Sequence, residues 1–278
     1  MCIRDRFAGW HTAFPVHYAK KYGKPSVIVV GGYDAAYVPE INYGAFTNIK
    51  EKIPVKYIYK NANKVLVVDP SLKGDIIKNA RVKGENIEYL PTGYDPNYWK
   101  PKGRKGNIVL TVGKVSWKVM KRKGFESFVK AAKHVPNAKF VLVGKHADDS
   151  IYYLNEIASE NVEFTGFVPD DELLSWYQKA KVYCQLSRYE GLPNALCEAM
   201  LCECVPVGTR YCGIPTAIGD CGFYVPYGDE ISTAKAIEKA LQVYENLGKK
   251  ARERIMKMFP LKRREIKLKS VLNECGNP

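Results

Sequence analysis

Short runs of β-branched and aliphatic residues alternate along this chain with segments whose apolar positions recur at helical spacing. In the first third, 26–30, 64–68 and 87–90 read as strands. Helical patterns cover 13–22 and 70–79, with Ser71 as the expected cap of the second. The stretch PTGYDPNYWKPKGRKGN, 91–107, is dense in Pro, Gly and charge, which marks a linker and a domain boundary. Beyond it the alternation is more regular. Strands are expected at 108–112, 139–143, 162–164, 182–186, 205–207 and 222–225. Helices are expected at 125–134, 150–159, 170–179, 194–201 and 231–247. Strands that alternate with helices imply parallel βαβ units and a doubly wound α/β sheet. In such a sheet the ligand lies beyond the carboxyl ends of the strands, so the loops after strands hold the chemistry.

Composition adds scale. At 278 residues, 46 % apolar and 26 % charged, the chain is an ordinary globular one with material for about two domains. No apolar run approaches the ~18 residues of a membrane-spanning helix, and the N-terminus carries no secretory pattern. The net charge of +14 is unevenly spread. Lys114, Lys118, Lys121, Arg122 and Lys123 form one basic run, and a second extends from Lys249 to Lys269. Such runs are solvated faces, or they meet an anionic ligand, an acidic membrane surface or nucleic acid. Zinc-finger, RNP and KH signatures are all missing from the sequence, so no nucleic-acid partner is expected. Five of the 8 cysteines fall between Cys197 and Cys221, yet no C-x-x-C pair or nearby His accompanies them. Buried, reduced thiols are expected rather than a metal site.

The densest chemistry lies in YCQLSRYEGLPNALCEA, residues 183–199. A strand ends, a loop comes next, and Pro193 opens a helix whose free N–H groups and dipole suit a phosphate. Glu190 stands in the loop and Glu198 in the first turns of the helix. A carboxylate beside a phosphate site can hold a vicinal diol of a sugar. The competing reading makes Glu198 a surface residue and Glu190 a plain loop charge.

EGLPNALCEAM, with VPVGTRYCGIPTAIGDCGFYVPYGD after it, resembles the donor-binding region of retaining GT-B glycosyltransferases of family GT4, with its E-x7-E pair. LPTGYDPNYWKP, NIVLTVGKVSWKVMKRKGFESFVKAA, FVLVGK, VEFTGFVPDDELLSWYQKAKVYCQLS and FPLKRREIKLKSVL extend the likeness over almost the whole chain. The resemblance implies two Rossmann-like doubly wound domains facing a cleft: an acceptor-side domain at 1–99, a donor-binding domain at 100–259, and a helix at 260–278 that crosses back. It implies transfer of a sugar, with retention, from a nucleotide diphosphate sugar to a hydroxyl of a glycan, lipid carrier or small molecule. Glu198 is then expected to hold the ribose hydroxyls. Glu190, with Gly191, Leu192 and Asn194, is expected on the donor sugar, Phe167 and Val168 beside the base, and Lys123 with Lys114 on the diphosphate.

The family usually has Arg where this chain has Lys114, which keeps the charge but loses the bidentate fork. These cations and the helix N–H groups stabilise the departing diphosphate, so no metal and no cofactor are expected. FAGWHTAFPVHYAKKYGKPSVIVVGGYD resembles the late part of the acceptor domain, with His11 at the reacting centre or, alternatively, as a packing residue. Gly31, Gly32 and Asp34 come directly after a strand, which puts them toward the cleft or in a plain turn. About a hundred residues precede the linker, too few for several βαβ units. The family's early Gly-rich loop is absent from them, and MCIRDR reads as foreign to the segment after it. The expectation is an N-terminally truncated, cytoplasmic enzyme, compatible with peripheral contact at an anionic inner membrane face. The alternative is a nucleotide-sugar-binding fragment without turnover.

Overall fold

Continuous burial, rather than alternation, marks the strands of this chain: all five side chains of Ser26–Val30 are inside, as a parallel strand covered on both faces requires. The computed structural model describes the backbone from Ile3 to Gly276 and the side chains from Phe7 to Glu274. Met1 and Cys2, part of the expected foreign start, and the thiol of Cys275 lie outside the described residues.

The chain divides into two compact units, Tyr94–Arg188 with Pro193–Pro260 forming the second and all else the first. The first contains β1 (Ile3–Arg6), α1 (Trp10–Lys21), β2 (Ser26–Val30), α2 (Ile49–Asn61), β3 (Lys64–Val67), α3 (Pro70–Ile76) and β4 (Ile87–Tyr89). Its parallel sheet runs β1-β2-β3-β4, in chain order and without reversal. Helix α2 escapes a sequence reading because Pro54 sits inside it. Proline supplies no N–H to the carbonyl four residues back, and the Trp10 indole N–H donates to that orphan, the Lys50 carbonyl, at 3.1 Å. Helix α3 is capped by Asp69, not Ser71. The Asp69 carboxylate accepts from the Ser71 amide at 2.9 Å and from its hydroxyl at 2.5 Å.

The second unit starts with β5 (Gly106–Val112), α4 (Trp117–Lys123), α5 (Phe125–Ala132), β6 (Lys139–Val143), α6 (Ser150–Ile157), β7 (Val162–Gly166), α7 (Asp170–Lys179) and β8 (Ala180–Gln185). It continues through α8 (Asn194–Leu201), β9 (Val205–Gly208), α9 (Gly213–Ile218), β10 (Phe223–Tyr224), α10 (Glu230–Gln242) and α11 (Tyr244–Met258). Helix α12 (Leu261–Gly276) returns to the first unit. The single helix expected over 231–247 is two. The chain breaks at Val243 so that α11 can pack on α8, where Gly248 comes so close that a Cβ would lie 2.5 Å from the Glu203 carbonyl oxygen.

The six strands are parallel in the order β10-β9-β8-β5-β6-β7. Read from β5, this is the 3-2-1-4-5-6 order of a doubly wound Rossmann sheet, and the order reverses between β5 and β8. A core of Phe125, Phe128, Val129, Phe140, Leu142 and Val182 lies under α5. Cys184, Cys197, Cys202, Cys204 and Cys221 are free and buried. Burial pushes the Cys184 and Cys202 thiols well up and the Cys197 thiol to about 12, so they stay protonated and inert. Among the described residues, no group of His, Cys, Asp and Glu could hold a metal ion, and no helix is long and apolar enough to cross a membrane.

Arg252 ties 94–99 into the second unit. Its guanidinium donates to the carbonyls of Trp99 and Pro96, each at 2.9 Å, and to that of Leu201. Arg252→Met orphans three acceptors and is expected to cost about 2–3 kcal/mol in denaturant unfolding. Cys212, at φ 48° and ψ −125° before α9, holds a backbone conformation natural only to glycine. Cys212→Gly is expected to relieve about 1 kcal/mol of strain and to raise the melting midpoint by about 2–4 °C.

Candidate functional site

The reversal of strand order puts the natural crevice of the second unit outside the carboxyl ends of β5 and β8. Glycines crowd this point. A Cβ at Gly144 would collide with the Gly113 carbonyl, and one at Gly113 would lie 2.7 Å from Cδ of Lys123. Gly124, in the left-handed region at φ 68°, would meet the Leu186 carbonyl oxygen at 2.5 Å. The Arg188 amide donates to the Arg122 carbonyl at 2.8 Å. The end of basic helix α4 is thereby fixed beside the loop after β8. The exposed Lys114 and half-buried Lys123 share the end of β5. The row continues outward, since the Gly144 amide donates to the Gly166 carbonyl at 2.9 Å. Phe167, 75 % exposed, and half-buried Val168 come after β7, two strands from β5.

Asn194 opens α8 with its side chain exposed, and the Tyr94 hydroxyl donates to its Oδ1 at 2.8 Å. One turn on, half-buried Glu198 accepts from the Tyr177 hydroxyl at 3.2 Å through Oε2. Burial pushes its carboxyl up to about 7, the Tyr177 bond opposes this, and the Asp170 charge adds to it. Tyr177 is itself fixed. Its ring lies edge-on to Trp99 and Tyr183, with centroids 5.7 and 6.1 Å away, and its carbonyl accepts from Lys105 Nζ at 2.9 Å.

Glu190, Gly191 and Leu192 fall elsewhere. The segment Tyr189–Leu192 belongs to the first unit. The Tyr189 hydroxyl donates to Asp75 Oδ2 at 2.6 Å, and its ring lies 5.8 Å from that of Tyr43. Gly191 packs so tightly on Gly31 that a Cβ would strike the Gly31 carbonyl. Half-buried Glu190 is thus held between two anchored neighbours at the carboxyl end of β2.

His11 stands at the same rim, exposed in the first turn of α1 after β1, with its ring folded against Gly9. Asp34 is buried and does not face outward. Its carboxylate accepts from the amides of Ala8 and Gly32 at 2.9 and 3.0 Å, clamping the loop that leads into α1 to the loop after β2 that contains Gly31. Burial pushes the Asp34 carboxyl up while these amides pull it down.

Of the sequence-predicted residues, then, Lys114, Lys123, Phe167, Val168, Asn194 and Glu198 share the carboxyl rim of the second sheet, and His11, Glu190, Gly191 and Leu192 that of the first. The Tyr177–Glu198 and Asp34–Ala8 pairings have no local signal, since their partners lie 21 and 26 residues apart. Two stacked cations were also missed. Arg188 lies 4.2 Å from the ring centroid of Tyr211, and Arg210 lies 3.9 Å from that of Tyr224. A cavity of about 1170 Å³ beside β7 and α6 touches none of the predicted residues.

Residues 106–243 match the glycosyl transferases group 1 family. Mannosylfructose-phosphate synthase of Agrobacterium fabrum is 27 % identical over 62 % of this chain and 43 % of its own length. Trehalose synthase of Pyrococcus horikoshii is 25 % identical over 77 % of this chain and 54 % of its own. The chain therefore spans about half the length of the curated relatives it matches. Among solved structures, sucrose-phosphate synthase from Thermosynechococcus elongatus superposes with a TM-score of 0.83 at 20 % identity, over 98 % of this chain and 73 % of that one. Anabaena HepE in complex with UDP gives 0.80 at 16 % identity, over 94 % and 76 %. The fold is the GT-B type of these structures, and through residues 106–243 the chain belongs to the glycosyl transferases group 1 family.

Proposed function

We propose that this chain transfers a sugar from a nucleotide diphosphate sugar to an acceptor hydroxyl, with retention at the anomeric carbon. The observation that carries the reading is the convergence of Lys114, Lys123 and the start of α8, with Glu198 one turn in, on the strand-order reversal of a Rossmann sheet. Two cations and free helix N–H groups suit a diphosphate. A carboxylate one turn deeper, with one oxygen held by Tyr177, suits the ribose diol. Phe167 supplies an exposed ring for the base. Glu190 and His11 are assigned to the sugar and the reacting centre. As the glycosidic bond breaks, its electron pair goes to the diphosphate oxygen, and Lys114, Lys123 and the α8 N–H groups take up that charge. The acceptor oxygen bonds the anomeric carbon on the face the diphosphate leaves, and the acceptor proton passes to the departing phosphate. UDP-sugars head the donors to test, because solved HepE structures hold UDP and UDP-glucose.

Calorimetry and turnover assays with a panel of nucleotide sugars test this reading. Glu198→Ala is expected to weaken donor binding about tenfold to a hundredfold, as loss of charged hydrogen bonds does. Glu190→Ala is expected chiefly to lower transfer. Unchanged affinity and rate in both variants defeat the assignment. Binding without transfer or donor hydrolysis identifies a binding module.

The pH dependence has two signs. The Glu198 carboxyl has its ordinary value of 4.5 when unfolded and about 7 in the fold. Its contribution to stability is therefore fully present below 4.5 and is lost, by up to ~3 kcal/mol, as pH rises through 7. Donor binding runs the other way, because the diol needs the carboxylate: affinity should climb as pH rises toward and through 7. Glu198→Gln should flatten both profiles. The intact sugar nucleotide is the proper probe, because its phosphates stay ionised across this range.

A further inference from the structure

We infer that the carboxyl ends of β9 and β10 hold a second ligand site, built for a sugar that carries a phosphate or carboxylate group. A cavity of about 470 Å³ opens there, lined by Arg210, Tyr211, Tyr224, Val225, Pro226 and Tyr227. Its volume falls within the ~300–1,000 Å³ of small-molecule sites, and its lining contains a cation and no acid. All of these residues belong to the second unit. In the sheet order β10 lies two strands beyond β8, on the side opposite to β7 and Phe167. The cavity shares no residue with the crevice assigned to the nucleotide.

The walls are fixed in advance. The Tyr224 hydroxyl donates to the Gly219 carbonyl at 2.8 Å, and the Tyr227 hydroxyl donates to the Lys121 carbonyl. The Tyr211 ring is held by the Arg188 guanidinium 4.2 Å from its centroid and by the edge-on ring of Tyr227 at 6.5 Å. Walls already in place lower the cost of binding. Cys212, directly after Tyr211, keeps its glycine-like backbone at φ 48° and ψ −125°, and strain of this kind persists at ligand clamps. Arg210 supplies the recognition. It is exposed, lies 3.9 Å from the centroid of Tyr224, and makes no ion pair among the described residues. Stacked by its face, the guanidinium keeps its N–H edge for a partner, and that planar fork matches two oxygens of a phosphate or carboxylate. The Tyr211 hydroxyl makes no hydrogen bond among the described residues, so it can meet a sugar hydroxyl. Val225, Pro226 and the tyrosine rings offer apolar surface to the C–H face of a pyranose. A bare anion would leave that surface uncovered, and a neutral sugar would leave the guanidinium without a charge partner. The site does not depend on turnover, so its test is separate from that of the activity.

Calorimetry on the whole chain, saturated with UDP, decides the matter with four probes: glucose 6-phosphate, glucuronate, glucose and inorganic phosphate. At least one of the two anionic sugars is expected to bind, and the tighter of them names the oxyanion. Glucose and inorganic phosphate should each bind about tenfold more weakly or worse. Arg210→Gln should lower affinity for the anionic sugar about tenfold or more, and Tyr211→Phe about threefold. Arg210→Lys, which keeps the charge and loses the fork, should fall between wild type and Arg210→Gln. Melting midpoints should stay unchanged in all three variants. Four outcomes overturn the inference: neither anionic sugar binds, glucose or inorganic phosphate binds as tightly as the anionic sugar, Arg210→Gln binds it as wild type does, or UDP displaces it.

Discussion

The candidate nucleotide site depends on how closely backbones approach at the end of β5. Gly113 and Gly144 meet without room for a side chain, and Gly124 sits against the Leu186 carbonyl. Any Cβ here would push α4 away from the strand ends. Lysine is a flexible point charge, so its usefulness depends on where its backbone is held. The glycines do that holding: they bring the root of Lys123 under the same strand end that Lys114 leaves. A chain with a net charge of +14 has cations everywhere, and what distinguishes these two is that the backbone leaves them one place to converge.

Burial is used in two ways on the carboxylates. Asp34 is inside and takes amide hydrogen bonds from both loops it joins. It does no work toward solvent, and its role is to keep Ala8 and Gly32 in register. Glu198 is only half inside, with one oxygen on Tyr177 and the other available. Desolvation raises both groups. In Asp34 fixed donors offset the cost, whereas in Glu198 one phenol offsets part of it. A ligand that brings hydroxyl donors to the second oxygen would make up the remainder.

Much of this architecture is legible in the residues. Runs such as SVIVV and KFVLV have the length and β-branched content of strands buried on both faces, and their alternation with helices points to a parallel sheet. The segment around Glu190 and Glu198 announces a loop and a helix start through Pro193. What is hidden has physical reasons. Pro54 disguises α2, because the indole that repairs its missing hydrogen bond comes from forty residues earlier. Asp69 outcompetes Ser71 as a cap because its carboxylate reaches both the Ser71 amide and hydroxyl. The break at Val243 answers the packing of α11 on α8, a contact no local pattern records. Tyr177 finds Glu198 only once β8 and α8 have folded back.

The E-x7-E spacing reads as a single feature, yet its two carboxylates are anchored by separate networks. Tyr189 on Asp75 and Gly191 on Gly31 place Glu190 in the first unit. Tyr177, backed by Trp99 and Lys105, places Glu198 in the second. Between them Pro193 ends the loop and fixes the first helical turn. The spacing is therefore a polymer constraint. The chain leaves the second unit for four residues, re-enters it at Pro193, and needs one turn of α8 before a side chain points back toward α7.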